Sequence, residues 1–205
     1  MKTIEIQVYT FDELSEEAKE VARNWRRSGG IDSQFYADEI IESAKKFADI
    51  FGLRFGRRYS DLQWGYLEDS FLRQLSGVRL ATYLWNNHKK DLFKGKYYSL
   101  WSKTEVSYKH YKEGYPVLKQ RRSKILLDNS CVLTGVCYDD DILKPFYDFM
   151  KRPDKYTTFE YLLEEVENAI EKCFNDVEDW VNSDEYIDET IRANEYEFTQ
   201  DGKRF

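Results

Sequence analysis

EYEFTQDGKRF, residues 195–205, alternates Tyr196 and Phe198 with polar neighbours and then offers Asp201-Gly202 as a turn before Phe205. That pattern predicts a short hairpin. At the other end, residues 3–10 set Ile4, Ile6 and Val8 against Glu5 and Gln7, the period of a half-buried strand. Strands at both ends can share a sheet, so these two stretches decide the fold class. Between them, LRFGRRYSDLQWGYL (residues 53–67) is aromatic and broken by Gly56 and Gly65, which predicts one or two strands. Residues 125–127 and 130–138 predict two more, joined at Asp128-Asn129. The expectation is an α+β fold: a single domain, residues 1–205, whose mainly antiparallel sheet combines the N-terminal strand, the central strands and the C-terminal hairpin, packed against several helices.

The helices are marked by their caps. Ser15 precedes Glu16 and Glu17, and Leu14, Ala18, Val21, Ala22 and Trp25 form one face before Gly29-Gly30. A second helix follows from about Ser33 to Phe51, with Ile40, Ala44, Phe47 and Ala48 in its stripe and Gly52 as the stop. Residues 69–87 satisfy either helix or strand. Asp139, Asp140 and Asp141 open a helix that Arg152-Pro153 closes. The longest helix spans Thr157 to about Val181, with Thr157 and Glu160 as a capping box. Its apolar stripe runs from Phe159 through Val166 and Ile170 to Trp180 or Val181, and Ser183 caps a last helix carrying Ile187 and Ile191.

Charge is unevenly spread. The formal net of -7 divides into +8 over residues 88–124 and -15 over the rest, and residues 154–201 alone carry -13. The polar side of the long helix holds Glu160, Glu164, Glu167 and Glu171 at three- and four-residue spacings, then Glu178 and Asp179. Like charges at those spacings oppose one another. Such a row is either a solvated face or a surface that steers a basic partner. The basic, aromatic-rich insertion or hairpin at about 88–124 offers Lys109, Lys112, Lys119, Arg121, Arg122 and Lys124 for phosphates, with Tyr108 and Tyr111 for stacking on bases. The same residues can instead meet carboxylates.

Little points to an enzyme. His88 and His110 are the only histidines, and there is no P-loop, no G-x-G-x-x-G and no H-E-x-x-H. Cys131, Cys137 and Cys173 make neither a disulfide framework nor a C-x-x-C ligand pair. The Asp139–Asp141 cluster suits a divalent cation or, more simply, the positive end of a helix. No cofactor and no metal is therefore expected. The apolar windows are too short for a membrane helix and the N-terminal stretch lacks an apolar signal core, which leads to the expectation of a soluble, cytoplasmic protein.

The segments YTFDELSEEAKEVARNW and SDEYIDETIRANEYEFTQDGKRF carry a resemblance. They are similar to a family of small phage and prophage proteins whose members open with a strand and F-x-E-L-S-E-E-A-K and close with I-x-A-N-E-Y-E-F-T-x-D-G-x-x-F. Some members are labelled antitoxins of a toxin–antitoxin stability system. The likeness covers about the first 30 and the last 25 residues. In the middle, where many relatives have a glycine- and serine-rich segment, this chain has DLQWGYLEDSFLRQLSG and keeps only Gly65 and Gly77. The resemblance implies a phage-type accessory protein acting on host machinery. Taken with the acidic helix, it leads to a non-enzymatic binding protein that inhibits a host nucleic-acid-handling defence effector, of anti-CRISPR or anti-restriction type, through that acidic surface. The partner would be a host protein or protein–nucleic acid complex, and self-association stays open. The alternative is an antitoxin-like or nucleic-acid-binding regulatory module using residues 109–124.

Overall fold

The computed structural model describes residues 6–30, 33–54, 71–92 and 131–205. Among them are six α-helices and one two-stranded sheet, so the fold is mainly helical, which corrects the α+β expectation. The helices are α1 (Glu16–Ser28), α2 (Gln34–Ile50), α3 (Gly77–Leu92), α4 (Tyr138–Lys151), α5 (Phe159–Val181) and α6 (Asp184–Ala193). The strands are β1 (Tyr9–Thr10) and β2 (Glu197–Phe198), antiparallel with Tyr9 opposite Phe198. The chain divides into two units, Met1–Ala37 with Asn175–Phe205, and Asp38–Phe174. Among the described residues, no helix is long and apolar enough to cross a membrane.

The first unit joins the two end regions. The hydroxyl of Ser15 accepts the Ala18 N–H at 3.3 Å, Glu16 and Glu17 occupy the first turn, and Arg26 and Arg27 the last, so α1 is capped and charged in the sense its dipole favours. Ser183 caps α6 in the same way through the Tyr186 N–H. Helix α1 packs on α6, and Phe11, Leu14, Ala18, Ala22, Ile187, Ile191 and Phe198 form the core. Arg23 crosses between the two helices with a forked pair of bonds to Asp188, 2.7 and 2.8 Å, at a site where both side chains keep only 15% of their exposure. The turn predicted at Asp201-Gly202 is present: Gly202 N–H donates to Thr199 C=O, and Phe205 N–H returns to Glu197 C=O. Gly202 sits at φ +80, where a Cβ would lie 2.0 Å from the Ala18 carbonyl oxygen. Only glycine fits.

The sheet is short because strands need partners, not alternation alone. Residues 6–8 are irregular despite their apolar period, and β1 has only two residues paired with β2. The strand expected over residues 130–138 is absent from its described part, 131–137. Asp139 explains why. Its carboxylate accepts the N–H groups of Leu133, Thr134 and Gly135 at 2.9, 2.8 and 2.9 Å, and three consecutive donors converging on one group curl the backbone instead of extending it. Gly135, at φ +99, completes the curl. The expected strands at residues 55–67 and 125–127 lie outside the described residues, and Leu53–Arg54 form no strand.

The second unit is built on α2, α3, α4 and α5. Phe47 packs edge-on to Phe146 at 5.4 Å, and Phe51 lies 4.9 Å from Phe159. Ile40, Ala44, Leu80, Leu84, Ile142 and Val166 are fully buried around them. Gly52 at φ +63 ends α2, with Leu53 N–H reaching back to Ala48 C=O. The segment that satisfied either helix or strand resolves as α3, and its first residue, Gly77, donates its N–H to Thr157 C=O at φ +54. Tyr147 is buried and donates its hydroxyl to the last carbonyl of α3, Leu92, at 2.9 Å.

Candidate functional site

Helix α5 starts one residue later than its sequence suggests. The Thr158 hydroxyl accepts the Tyr161 N–H at 3.2 Å, whereas Thr157 donates its hydroxyl to Asp154, so the cap is Thr158 and no box forms at Thr157. From there Phe159, Leu162, Leu163, Val166, Ile170 and Cys173 turn inward and are buried. At 100° per residue this fixes where the carboxylates go. Glu160, Glu164, Glu167 and Glu171 fall within roughly 60° of arc and about 16 Å of helix axis, along one flank of the buried stripe, with Glu167 nearest to it.

Glu160, Glu164 and Glu171 are exposed and Glu167 is half-buried. Partial burial, and then the Glu164 carboxylate one turn away, push the Glu167 carboxyl up to about 7. Partial burial, helped by Glu164, thus lets one member of the row hold its proton near neutral pH. Glu160 lies 3.7 Å from the Arg73 guanidinium, an exposed pair that neutralises little. Glu178 and Asp179, on the part of α5 assigned to the first unit, are also exposed. They stand in the last turn, with no base beside them there, where the helix dipole disfavours anions. The acids are kept at positions that cost helix stability.

Within the Asp139–Asp141 cluster, Asp139 is committed to the protein itself. Asp139 is fully buried and already accepts five hydrogen bonds: the three backbone donors, the Ser43 hydroxyl at 2.6 Å and the Thr134 hydroxyl at 3.0 Å. It anchors residues 133–135 to α2 and α4. Among the described residues, no group of three acids, histidines or cysteines is placed to hold a metal. Nearby Cys131 has its thiol pushed up by burial and by Asp139, away from thiolate reactivity. Lys109, Lys112, Lys119, Arg121, Arg122, Lys124, Tyr108 and Tyr111 lie outside the described residues.

Two features escape a reading by residue type. Ser43, inside the apolar stripe of α2, is the buried partner of Asp139. Trp180 does not belong to the α5 stripe: Val181 is buried, and Trp180 keeps 48% of its exposure. Phe35 and Tyr36, two large aromatics lying ahead of the apolar stripe of α2, were the available signal.

No family model, curated protein or solved structure matches the chain.

Proposed function

We propose that this chain is a non-enzymatic binding protein that uses the Glu160–Glu171 face of α5 to occupy a basic surface on its partner. The observation that supports the reading is the single-sign row itself: four carboxylates within one narrow arc, close enough that Glu167 is lifted toward neutral pH by burial and Glu164. A helix under selection for stability alone would alternate its charges. Glu160, Glu164 and Glu171 keep a negative row, with Glu167 titrating among them, along about 16 Å of helix, the kind of field that guides a positively charged groove onto it.

Proteins that handle nucleic acids present such grooves. With the phage-type resemblance of the two chain ends, the favoured partner is a host defence effector of CRISPR or restriction type, whose nucleic-acid channel the acidic face would block. The test is DNA binding by a panel of such effectors with and without the purified protein. Inhibition should be lost in the variant carrying Glu160→Lys, Glu164→Lys, Glu167→Lys and Glu171→Lys while its circular dichroism is unchanged. Inhibition that survives the four reversals would sink the mimicry reading.

The second reading, a nucleic-acid-binding or antitoxin-like module, rests on the +8 charge of residues 88–124. It requires a gel shift on DNA or RNA that weakens steeply between 50 and 200 mM salt. Absence of any shift at the lower salt removes it.

A further inference from the structure

Two large exposed aromatics of the first unit, Phe35 and Trp180, are linked through the half-buried rings of Tyr36 and Tyr186. Phe35, at the start of α2, keeps 63% of its exposure and meets Tyr36 at 5.5 Å. Tyr36 meets Trp180 edge-on at 5.2 Å, and Trp180 lies 4.5 Å from Tyr186 at the start of α6. The four rings form a continuous strip fed by three helices, unlike the scattered apolar residues that any surface carries.

The strip has an acidic rim. Asp179 precedes Trp180, Glu178 lies one residue further back, and Glu185 and Glu189 flank Tyr186 on α6. All four are exposed, and none is paired with a base among the described residues. The described residues of this unit include fifteen acids and seven bases. Those bases are committed: Lys19, Arg23, Arg27, Arg192 and Lys203 to carboxylates, Arg26 to a backbone carbonyl, and Arg204 to aromatic rings. Phosphate is therefore repelled from this surface, and cations are drawn to it.

We propose that the strip docks a cationic segment of a partner protein, an arginine- or lysine-bearing stretch laid over Phe35 and Trp180 with its charges among the rim carboxylates. The same unit already uses this chemistry internally. The Arg204 guanidinium lies 4.9 Å from the Trp25 ring and 4.7 Å from the Tyr196 ring, inside the range where an aromatic face attracts a cation. This surface shares no residue with the Glu160–Glu171 row and stands whether or not that row binds anything.

The experiment titrates a fluorescein-labelled, end-capped hexapeptide of alternating glycine and arginine into the full chain, followed by anisotropy in 0.15 M salt, where loose surface attraction is screened. Saturable binding is expected, weakened about tenfold by Trp180→Gln and by Phe35→Ser, the size of one lost desolvated cation–ring contact. Phe35→Ser carries the test if Trp180→Gln disturbs the fold, because Phe35 is the more exposed ring. A peptide with norleucine for arginine should not bind, and the four-lysine variant of the row should bind the arginine peptide as the parent does. The proposal is overturned by an unchanged affinity in Phe35→Ser, by equal binding of the norleucine peptide, or by loss of binding only in the four-lysine variant. Displacement of the peptide by oligothymidylate from the same rings, or self-association that Phe35→Ser abolishes, would overturn it in favour of another occupant.

Discussion

Replacing Glu167 by Gln should stabilise the protein in alkaline solution and leave it unchanged in acid. The carboxyl has a value near 4.5 in the unfolded chain and about 7 in the folded one, raised first by burial and then by Glu164. The folded chain therefore holds this proton more tightly than the unfolded chain does. Its contribution to stability is complete below pH 4.5 and is lost as the pH climbs through 7. Each unit of difference corresponds to about 1.4 kcal/mol, which sets a ceiling of roughly 3.4 kcal/mol. The side chain is half-buried and still reaches water, and screening there reduces the expected effect to about 1 kcal/mol. Glutamine mimics the protonated acid and does not titrate, so it escapes the loss. Urea unfolding of parent and variant at pH 4 and pH 8 measures the difference directly. The curves should coincide at pH 4 and separate by about 1 kcal/mol at pH 8, with the variant the more stable. A variant equal to or weaker than the parent at pH 8 would show that the folded chain does not raise the Glu167 carboxyl, and the argument that burial and Glu164 lift it would go with it.

Three substitutions probe the packing. Gly202→Ala forces a methyl into the Ala18 carbonyl at a left-handed backbone position, and thermal unfolding should show a loss of about 3 kcal/mol or more. Asp139→Ala strands three converging backbone donors and the Ser43 hydroxyl, for a cost of about 3–5 kcal/mol, whereas Ser43→Ala removes one partner and should cost about 1–2 kcal/mol; chemical denaturation ranks the two, and the reverse order would refute the anchoring role. Tyr147→Phe removes the buried hydrogen bond to the Leu92 carbonyl and should cost about 1–2 kcal/mol, with faster amide exchange at the end of α3.

Where the sequence was transparent, the reason is local. A serine before two acids, a stripe of period 3.6 and a glycine after it are all satisfied within one helix, and α1, α2 and α6 appear within a residue or two of where Ser15, Gly52 and Ser183 place them. The sheet was overread because alternation is a property of one segment while a ladder is a property of two. Residues 6–8 have the period and lack the partner. The run before Asp139 reads as a strand through Val132, Val136 and Tyr138, and only the distant Ser43 and the buried carboxylate reveal that it curls. The acidic row was legible because a helix whose inward stripe is known has its flanks fixed. The aromatic strip was not, since it depends on α2, α5 and α6 meeting.

The pairing of Tyr9 with Phe198 has a consequence for biosynthesis. The first unit draws its core from Phe11–Ala22 and from Ile187–Phe198, so its early half leaves the ribosome with no partner. At typical elongation rates that half waits roughly 10–35 s with its apolar face uncovered, a window in which chaperones or premature association compete. In the intervening unit, residues 38 to 174, α2 waits too, because Phe47 packs on Phe146 and Phe51 on Phe159 much later in the chain, but the wait is shorter. A transcript cut short before Ile187 should therefore leave the apolar face of α1 uncovered, detectable as a ribosome-bound chain in which protease cuts within α1.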